Sequence, residues 1–221
     1  MSRKRVGVLI SGRGSNLGSL IEACKAPDYP AKIAVVVSNV PGVQGLLRAE
    51  AGLIPALTIN HKDFASREDF DAALDNALNE AGVEILCNAG FMRLHSQGFV
   101  ERWRDRHLNI HPSLLPAFRG LHSHERVLEA GVTITGCTVH FVRPEMDTGP
   151  IVAQAAVPVL PGDTPESLGA RVLEAEHRLY PHALKLIASG EVRVEDEHVV
   201  GMTQIGLQPP LFSPPLDEHF D

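Results

Sequence analysis

The chain has 221 residues, of which 44% are hydrophobic and 21% charged, which allows one well-buried α/β domain or two small ones and is ordinary for a soluble globular protein. Its 27 acidic against 20 basic residues leave a formal net charge of −7, which argues against a general nucleic-acid or membrane-surface binder and leaves any anionic ligand to local features. Cys24, Cys87 and Cys137 are odd in number, far apart and without a Cys-x-x-Cys spacing, so they read as free thiols of a reducing compartment, the cytoplasm.

Arg3, Lys4 and Arg5 precede an apolar run that ends at Ile10, too short for a signal-peptide core or a membrane span, so 6–10 reads as the first strand. Further short apolar runs at 33–37, 54–57, 83–87 and 107–110 alternate with stretches of helical period at 16–26, 44–51 and 66–81. Strands buried on both faces with helices between them mean βαβ units, hence an α/β fold with a single, mainly parallel, doubly wound sheet. Ser66, with Asp69 three residues on, is an N-cap signal.

Between the first strand and first helix lies Ser11-Gly12-Arg13-Gly14-Ser15-Asn16. Unpaired N–H groups and the helix dipole make such a junction an anion site, and glycines let the backbone approach a phosphate. Taken alone, the loop reads equally well as a tight turn with no ligand. A dinucleotide fingerprint fits poorly, because the third glycine is displaced to Gly18 and the second strand ends in Ser38 and Asn39, with no acid for a ribose.

The fifth strand runs into Leu108-Asn109-Ile110-His111-Pro112-Ser113. Residues i and i+2 of an extended segment face one side, and Pro112 biases His111 toward that conformation. An amide donor and an imidazole then face one spot, and a carboxylate such as Asp147 can hold the imidazole protonated. That is equipment for acyl-type transfer through a tetrahedral intermediate, although a lone Asn-x-His at a strand end more often caps a loop. Ligands of open α/β sheets collect beyond the carboxyl ends of the strands, where Gly12, Gly90 and Asn109 converge.

Downstream, 133–142 and 151–159 are longer β-rich runs flanking a loop with Pro144, Asp147, Gly149 and Pro150, a hairpin-like pair carrying a functional loop. Pro165 opens a long helix to about residue 189, with Thr164 as N-cap. Pro209, Pro210, Pro214 and Pro215 mark an irregular tail, so residues 1–205 are expected to form one catalytic domain and 206–221 a Pro-rich tail. His122, His124, His140 and Asp147 invite a metal reading, but the strong zinc spacings are missing and no metal is expected. With no Gly-x-Ser-x-Gly elbow and no Cys beside an activating His, covalent catalysis is not expected either.

The run 109–116, Asn-x-His-x-Ser-x-Leu-Pro, followed by Asp147-Thr148-Gly149-Pro150-Ile151 and Gln154, resembles the two-part signature of the folate-dependent formyltransferase family. The likeness extends from Val6 to about Pro210 through Ile10 to Asn16, Ala89 to Leu94, Gly136 to Val142, and Glu176-His177 before Tyr180-Pro181. It implies a Rossmann-like formyltransferase fold, 10-formyltetrahydrofolate as cosubstrate, no metal, small-molecule partners without nucleic acid or membrane, and a monomer or homodimer. In the branch it is most like, the acceptor is the amine of a phosphoribosyl glycinamide.

By the same resemblance Asn109 and protonated His111 stabilise the oxyanion, and Asp147 keeps His111 charged and shuttles the amine proton. Gly14, Ser15 and Asn16 are implied to hold the substrate phosphate, with Gly90 beside them and Glu176 receiving the ribose hydroxyls. Met92, Arg93, Leu94 and His95 form a wall of the folate pocket, with Arg143, Pro144, Glu145 and Met146 completing it and Arg67 reaching the folate tail. His95 departs from the apolar residue expected at its place, and His140 is implied to support the site. Two relatives share the machinery: a formyltetrahydrofolate hydrolase, normally with an N-terminal regulatory domain where here the first strand is expected from Val6, and methionyl-tRNA formyltransferase, normally with a basic C-terminal RNA-binding domain. A non-catalytic folate or nucleotide binding module would tolerate loss of Asn109 or His111.

Overall fold

The computed structural model describes residues 2–201 and 211–214; Pro209, Pro210 and Pro215 of the expected tail lie outside the described residues. The chain runs β1 (Lys4–Ile10), α1 (Ser15–Lys25), β2 (Ala31–Ser38), α2 (Gln44–Ala51), β3 (Ala56–Thr58), α3 (Arg67–Glu80), β4 (Ile85–Asn88), α4 (Gln97–Arg102), β5 (His107–His111), α5 (Ser123–Ala130), β6 (Ile134–Phe141), β7 (Ile151–Pro158), α6 (Pro165–Ala188), β8 (Arg193–Glu195) and β9 (His198–Val200). β1 is buried without a break from Val6 to Ile10, as a strand covered on both faces must be. Val6, Val8 and Ile10 pack toward α1 and α6, while Leu9 joins Phe70, Leu74 and Trp103 on the side of α3 and α4, the period-two alternation of a strand.

The seven-stranded sheet has the order β3-β2-β1-β4-β5-β6-β7. The first five of these strands pair in parallel, and β6 and β7 add antiparallel at one edge. The chain builds outward from β1 to β3 and then returns to lay β4 on the other side of β1, so the crevice for a ligand opens at the carboxyl ends of β1 and β4.

Local chemistry sets the helix starts. Ser66 Oγ accepts from the Asp69 amide at 3.0 Å and its hydroxyl donates to the Asp69 carboxylate at 2.7 Å. Thr164 and Ser167 form a reciprocal capping box ahead of Pro165, and a lost cap of this kind costs ~1 kcal/mol. The third strand begins two residues later than expected, because the Leu53 and Ile54 amides donate to Glu50 and Ala49 at the end of α2. The six residues of α4 and the three-residue strands β8 and β9 are too short to show a period in sequence.

Candidate active site

The carboxyl ends of β4 and β5 and the first turn of α1 open into a cavity of about 630 Å³, a volume suited to a small ligand, whose walls include Asn16, Asn88, Gly90, Asn109, His111, Asp147 and Glu176, while Gly12, expected there, is not among its lining residues. Asn109 and His111 share one face of β5, as their spacing requires. Pairing of β5 with β6 sets Asn109 opposite His140 and His111 opposite Thr138. His140 Nδ1 meets the Phe141 carbonyl at 2.9 Å, and its Nε2 lies 3.2 Å from Asn109 Nδ2. The second hydrogen of that amide remains for a ligand.

His111 is buried, and its Nε2 donates to the Phe118 carbonyl at 3.0 Å. A carbonyl only accepts, so Nε2 keeps its proton in every charge state and Nδ1 is the titrating nitrogen. Nδ1 lies 3.3 Å from Asp147 Oδ2. The same carboxylate oxygen accepts from the Gly120 amide at 2.8 Å, and Oδ1 lies 3.6 Å from His140 Nε2. Asp147 therefore bridges β5, β6 and the loop at Gly120.

That loop explains much of the signature run. Thr138 Oγ1 donates to the Ser113 carbonyl at 2.7 Å and accepts from the Leu115 amide at 3.0 Å, Gln154 Nε2 donates to the Leu115 carbonyl at 3.0 Å, and Ser113 Oγ donates to the Ala117 carbonyl at 2.6 Å. These bonds fix the backbone that presents the Phe118 carbonyl and the Gly120 amide. Sequence reasoning missed both groups, because every residue carries a carbonyl and nearly every residue an N–H. On the other side Asp147 adopts φ 55, a left-handed conformation that Asp tolerates better than most non-glycine residues. Gly149 is required by space: an added Cβ would lie 1.7 Å from the Phe141 carbonyl oxygen.

Burial is the largest influence on His111 and outweighs the Phe118 carbonyl and the Asp147 charge, so its pKa falls below the ordinary value. Burial alone would raise Asp147, but His140, the Gly120 amide and His111 together hold it below the ordinary carboxylate value. Asp147 therefore pulls His111 toward its charged form, as expected, while desolvation of the cation is the larger effect and sets the direction of the shift.

At the other end of the cavity, α1 starts at the glycine loop. Gly14 is left-handed (φ 67), and an added Cβ would meet Gly45 Cα at 2.8 Å. Ser15 and Asn16 lie in the first turn of α1, where amides have no intrahelical acceptor. Gly14 and Ser15 sit just outside the cavity lining, whereas Asn16 enters it. Asn16 Nδ2 donates to Glu176 Oε2 at 2.7 Å, and its Oδ1 is buried without a partner. Burial raises the Glu176 pKa, partly offset by Asn16. Gly90, at φ 74, lines the cavity between the two ends.

Of the residues expected to wall the folate, Met92, Arg93, Leu94, His95, Arg143, Pro144 and Met146 line the cavity. Met92 and Leu94, 69% and 52% exposed, form an apolar rim with Met146 and Leu121, and Pro144 also lines the cavity. His95 occupies an aromatic slot between Phe91 and Phe99, with centroids 5.0 and 4.4 Å away, and its Nδ1 meets Asp71 Oδ1 at 3.1 Å. A histidine replaces the expected apolar residue because its ring stacks while a buried carboxylate takes its polar edge. Arg93 lies over the Phe70 ring at 5.2 Å. Arg143 lines the cavity while its guanidinium pairs with Asp105 and Glu197, whereas Arg67, exposed on α3, and Glu145, also exposed, are not among the lining residues. Burial pushes the Cys87 and Cys137 thiols up to about 12, so neither supplies a thiolate. Among the described residues no three His, Cys, Asp or Glu side chains gather as metal ligands, and no helix is long and apolar enough to cross a membrane.

The formyl transferase family model matches residues 4–184. A phosphoribosylglycinamide formyltransferase of Haemophilus influenzae is 42% identical over 193 residues, covering 87% of this chain and 91% of that protein. The trifunctional purine biosynthetic protein adenosine-3 of Gallus gallus is 55% identical over 193 residues, and this chain spans 19% of its length. The crystal structure of glycinamide ribonucleotide transformylase 1 from Symbiobacterium toebii superposes with a TM-score of 0.87 at 47% identity, covering 89% of this chain and 93% of that one.

Proposed function

Because this chain belongs to the formyl transferase family, we propose that it moves a formyl group from 10-formyltetrahydrofolate to the free amine of phosphoribosylglycinamide, the purine-biosynthetic activity its relatives' names describe. The observation that carries the reading is one cavity with Asn109, His111 and Asp147 between two different ends. One end opens toward the glycine loop through Asn16 and Glu176, and the other is rimmed by Met92, Leu94 and Met146. A phosphorylated ribose with its amine pointing inward suits the first, held by the α1 amides and by Glu176, and a flat apolar cosubstrate suits the second.

In this reading the amine attacks the formyl carbon, forming a C–N bond and pushing the carbonyl electron pair onto oxygen. The free Asn109 N–H donates to that oxyanion, a contact worth about 2.7–4 kcal/mol in comparable sites. The His111–Asp147 pair takes the proton the amine must lose, at Nδ1, so the imidazolium forms as negative charge develops beside it. The Phe118 carbonyl and Asp147 stabilise the imidazolium once formed. Collapse of the adduct breaks the bond to the folate nitrogen, and the proton passes to that nitrogen, releasing tetrahydrofolate and the formylated amine. The partners are small molecules, and three unpaired cysteines suit the reducing cytoplasm.

The test is to mix the protein with 10-formyltetrahydrofolate, with and without the ribonucleotide, and follow tetrahydrofolate release. Turnover that depends on the ribonucleotide supports the transferase; equal turnover in its absence makes the protein a hydrolase.

A further inference from the structure

We propose that the hairpin β8–β9 belongs to the catalytic apparatus, with Glu197 and the Arg143 it clamps acting as positioning residues for the loop that carries Asp147. The inference rests on the role given to Asp147 above. The loop joins β6 to β7, and its returning side is tied down where the Phe141 amide donates to the Pro150 carbonyl at 2.9 Å and Gly149 packs on the Phe141 carbonyl. The outgoing side has no such tie in its middle: residues 144–146 are exposed, and the Glu145 carbonyl accepts only from Thr148 within the same loop.

Arg143 is the anchor of that side. Its side chain is 7% exposed, with Nε donating to Glu197 Oε2 at 2.6 Å and Nη2 to Asp105 Oδ1 at 2.6 Å, while Nη1 donates to the Val142 carbonyl at 3.1 Å. Arg104 adds a second ion pair to Glu197. A planar guanidinium held by two carboxylates from different elements has a defined orientation, and one this buried would be uncompensated without them. Asp147 lies four residues further on in the left-handed region at φ 55, so its side-chain direction depends on where the backbone at Arg143 is held. The family model matches residues 4–184, so Arg143 and Asp105 lie within the matched range and Glu197 beyond it.

Glu197 itself sits in the hairpin turn at φ 60 and is 53% exposed, which makes a discriminating variant available. In Glu197→Gly the backbone state is favoured by the new residue, so a residue that only shapes the turn would leave stability and activity unchanged or improved. The clamp instead requires kcat/KM for 10-formyltetrahydrofolate to fall about 10- to 100-fold, the scale of a misplacement near 1 Å, with KM for the ribonucleotide preserved and the thermal midpoint lowered, because Arg143 loses one of the two carboxylates that compensate its burial. It also requires faster amide hydrogen exchange across 143–149, and Glu197→Gln, which keeps an acceptor oxygen, should recover part of both losses. Wild-type exchange in that loop, or wild-type kinetics, in Glu197→Gly overturns the proposal. A wild-type protein that transfers no formyl group overturns the functional reading instead, and the exchange measurement then decides the clamp by itself.

Discussion

Replacing Asp147 by asparagine should isolate one electrostatic contribution. An amide oxygen in the place of Oδ2 still accepts from the Gly120 amide at 2.8 Å and still lies 3.3 Å from His111 Nδ1, so shape is retained and a unit charge is lost. Both side chains are well buried, 6% and 8% exposed, so solvent screening is weak. At that separation and an effective dielectric near 20, the attraction to an imidazolium is about 5 kcal/mol. This bounds the shift from above at between ~3 and ~4 pKa units, and neighbouring opposite charges ordinarily produce about 1–3 units. The His111 pKa, already depressed by burial, should therefore fall by a further ~1–3 units in Asp147→Asn. If the imidazolium is fully formed in the transition state, each unit costs about tenfold in kcat. Titration of the His111 ring by NMR in both proteins, alongside steady-state kinetics, measures the two effects together. An unchanged or higher His111 pKa in the variant would refute the direct pair.

His111→Ala, which removes the proposed proton acceptor, and Asn109→Ala, which removes an oxyanion donor, should each lower kcat by ~10²-fold or more with little change in ligand affinity; near-normal turnover in purified His111→Ala would remove it from the mechanism. Gly14→Val places a Cβ 2.8 Å from Gly45 Cα at φ 67, a left-handed cost of about 1–2 kcal/mol before the clash. The apparent KM for the ribonucleotide should rise steeply while that for the folate holds, with thermal unfolding measured in parallel; the opposite pattern would mean the two ends have been assigned in reverse. His107 is fully buried with its pKa held well below the ordinary value, chiefly by burial and then by His95 and His140. The unfolded chain then binds more protons below about pH 6.5, so stability is complete above that pH and declines as pH falls toward the folded pKa. Asp71 and Asp147, both depressed, add stability that is present above pH ~4 and lost as pH falls through their folded values. His107→Leu should flatten the first decline and spare the second, and a melting curve between pH 7 and 5 that keeps the wild-type slope would assign the lability to another group.

The elements with strong local causes were readable from the residues alone. The period-two and helical patterns placed β1, α2, α3 and α6 nearly to the residue, Ser66 and Thr164 marked their helix starts, and the i, i+2 spacing put Asn109 and His111 on one face before any strand partner was known. These depend on covalent neighbours, and covalent neighbours are what a sequence records. What it does not record is which distant groups come to surround each side chain. The downward shift of the His111 pKa follows from desolvation, against which the Phe118 carbonyl and Asp147 pull. The resemblance put Arg143 in the cavity wall, where it lies, but not its pairing with Asp105 and Glu197, which come within its reach only after folding. His95 was the open question for the same reason: an aromatic slot closed by Asp71 exists only where α3, α4 and the residues after β4 pack together.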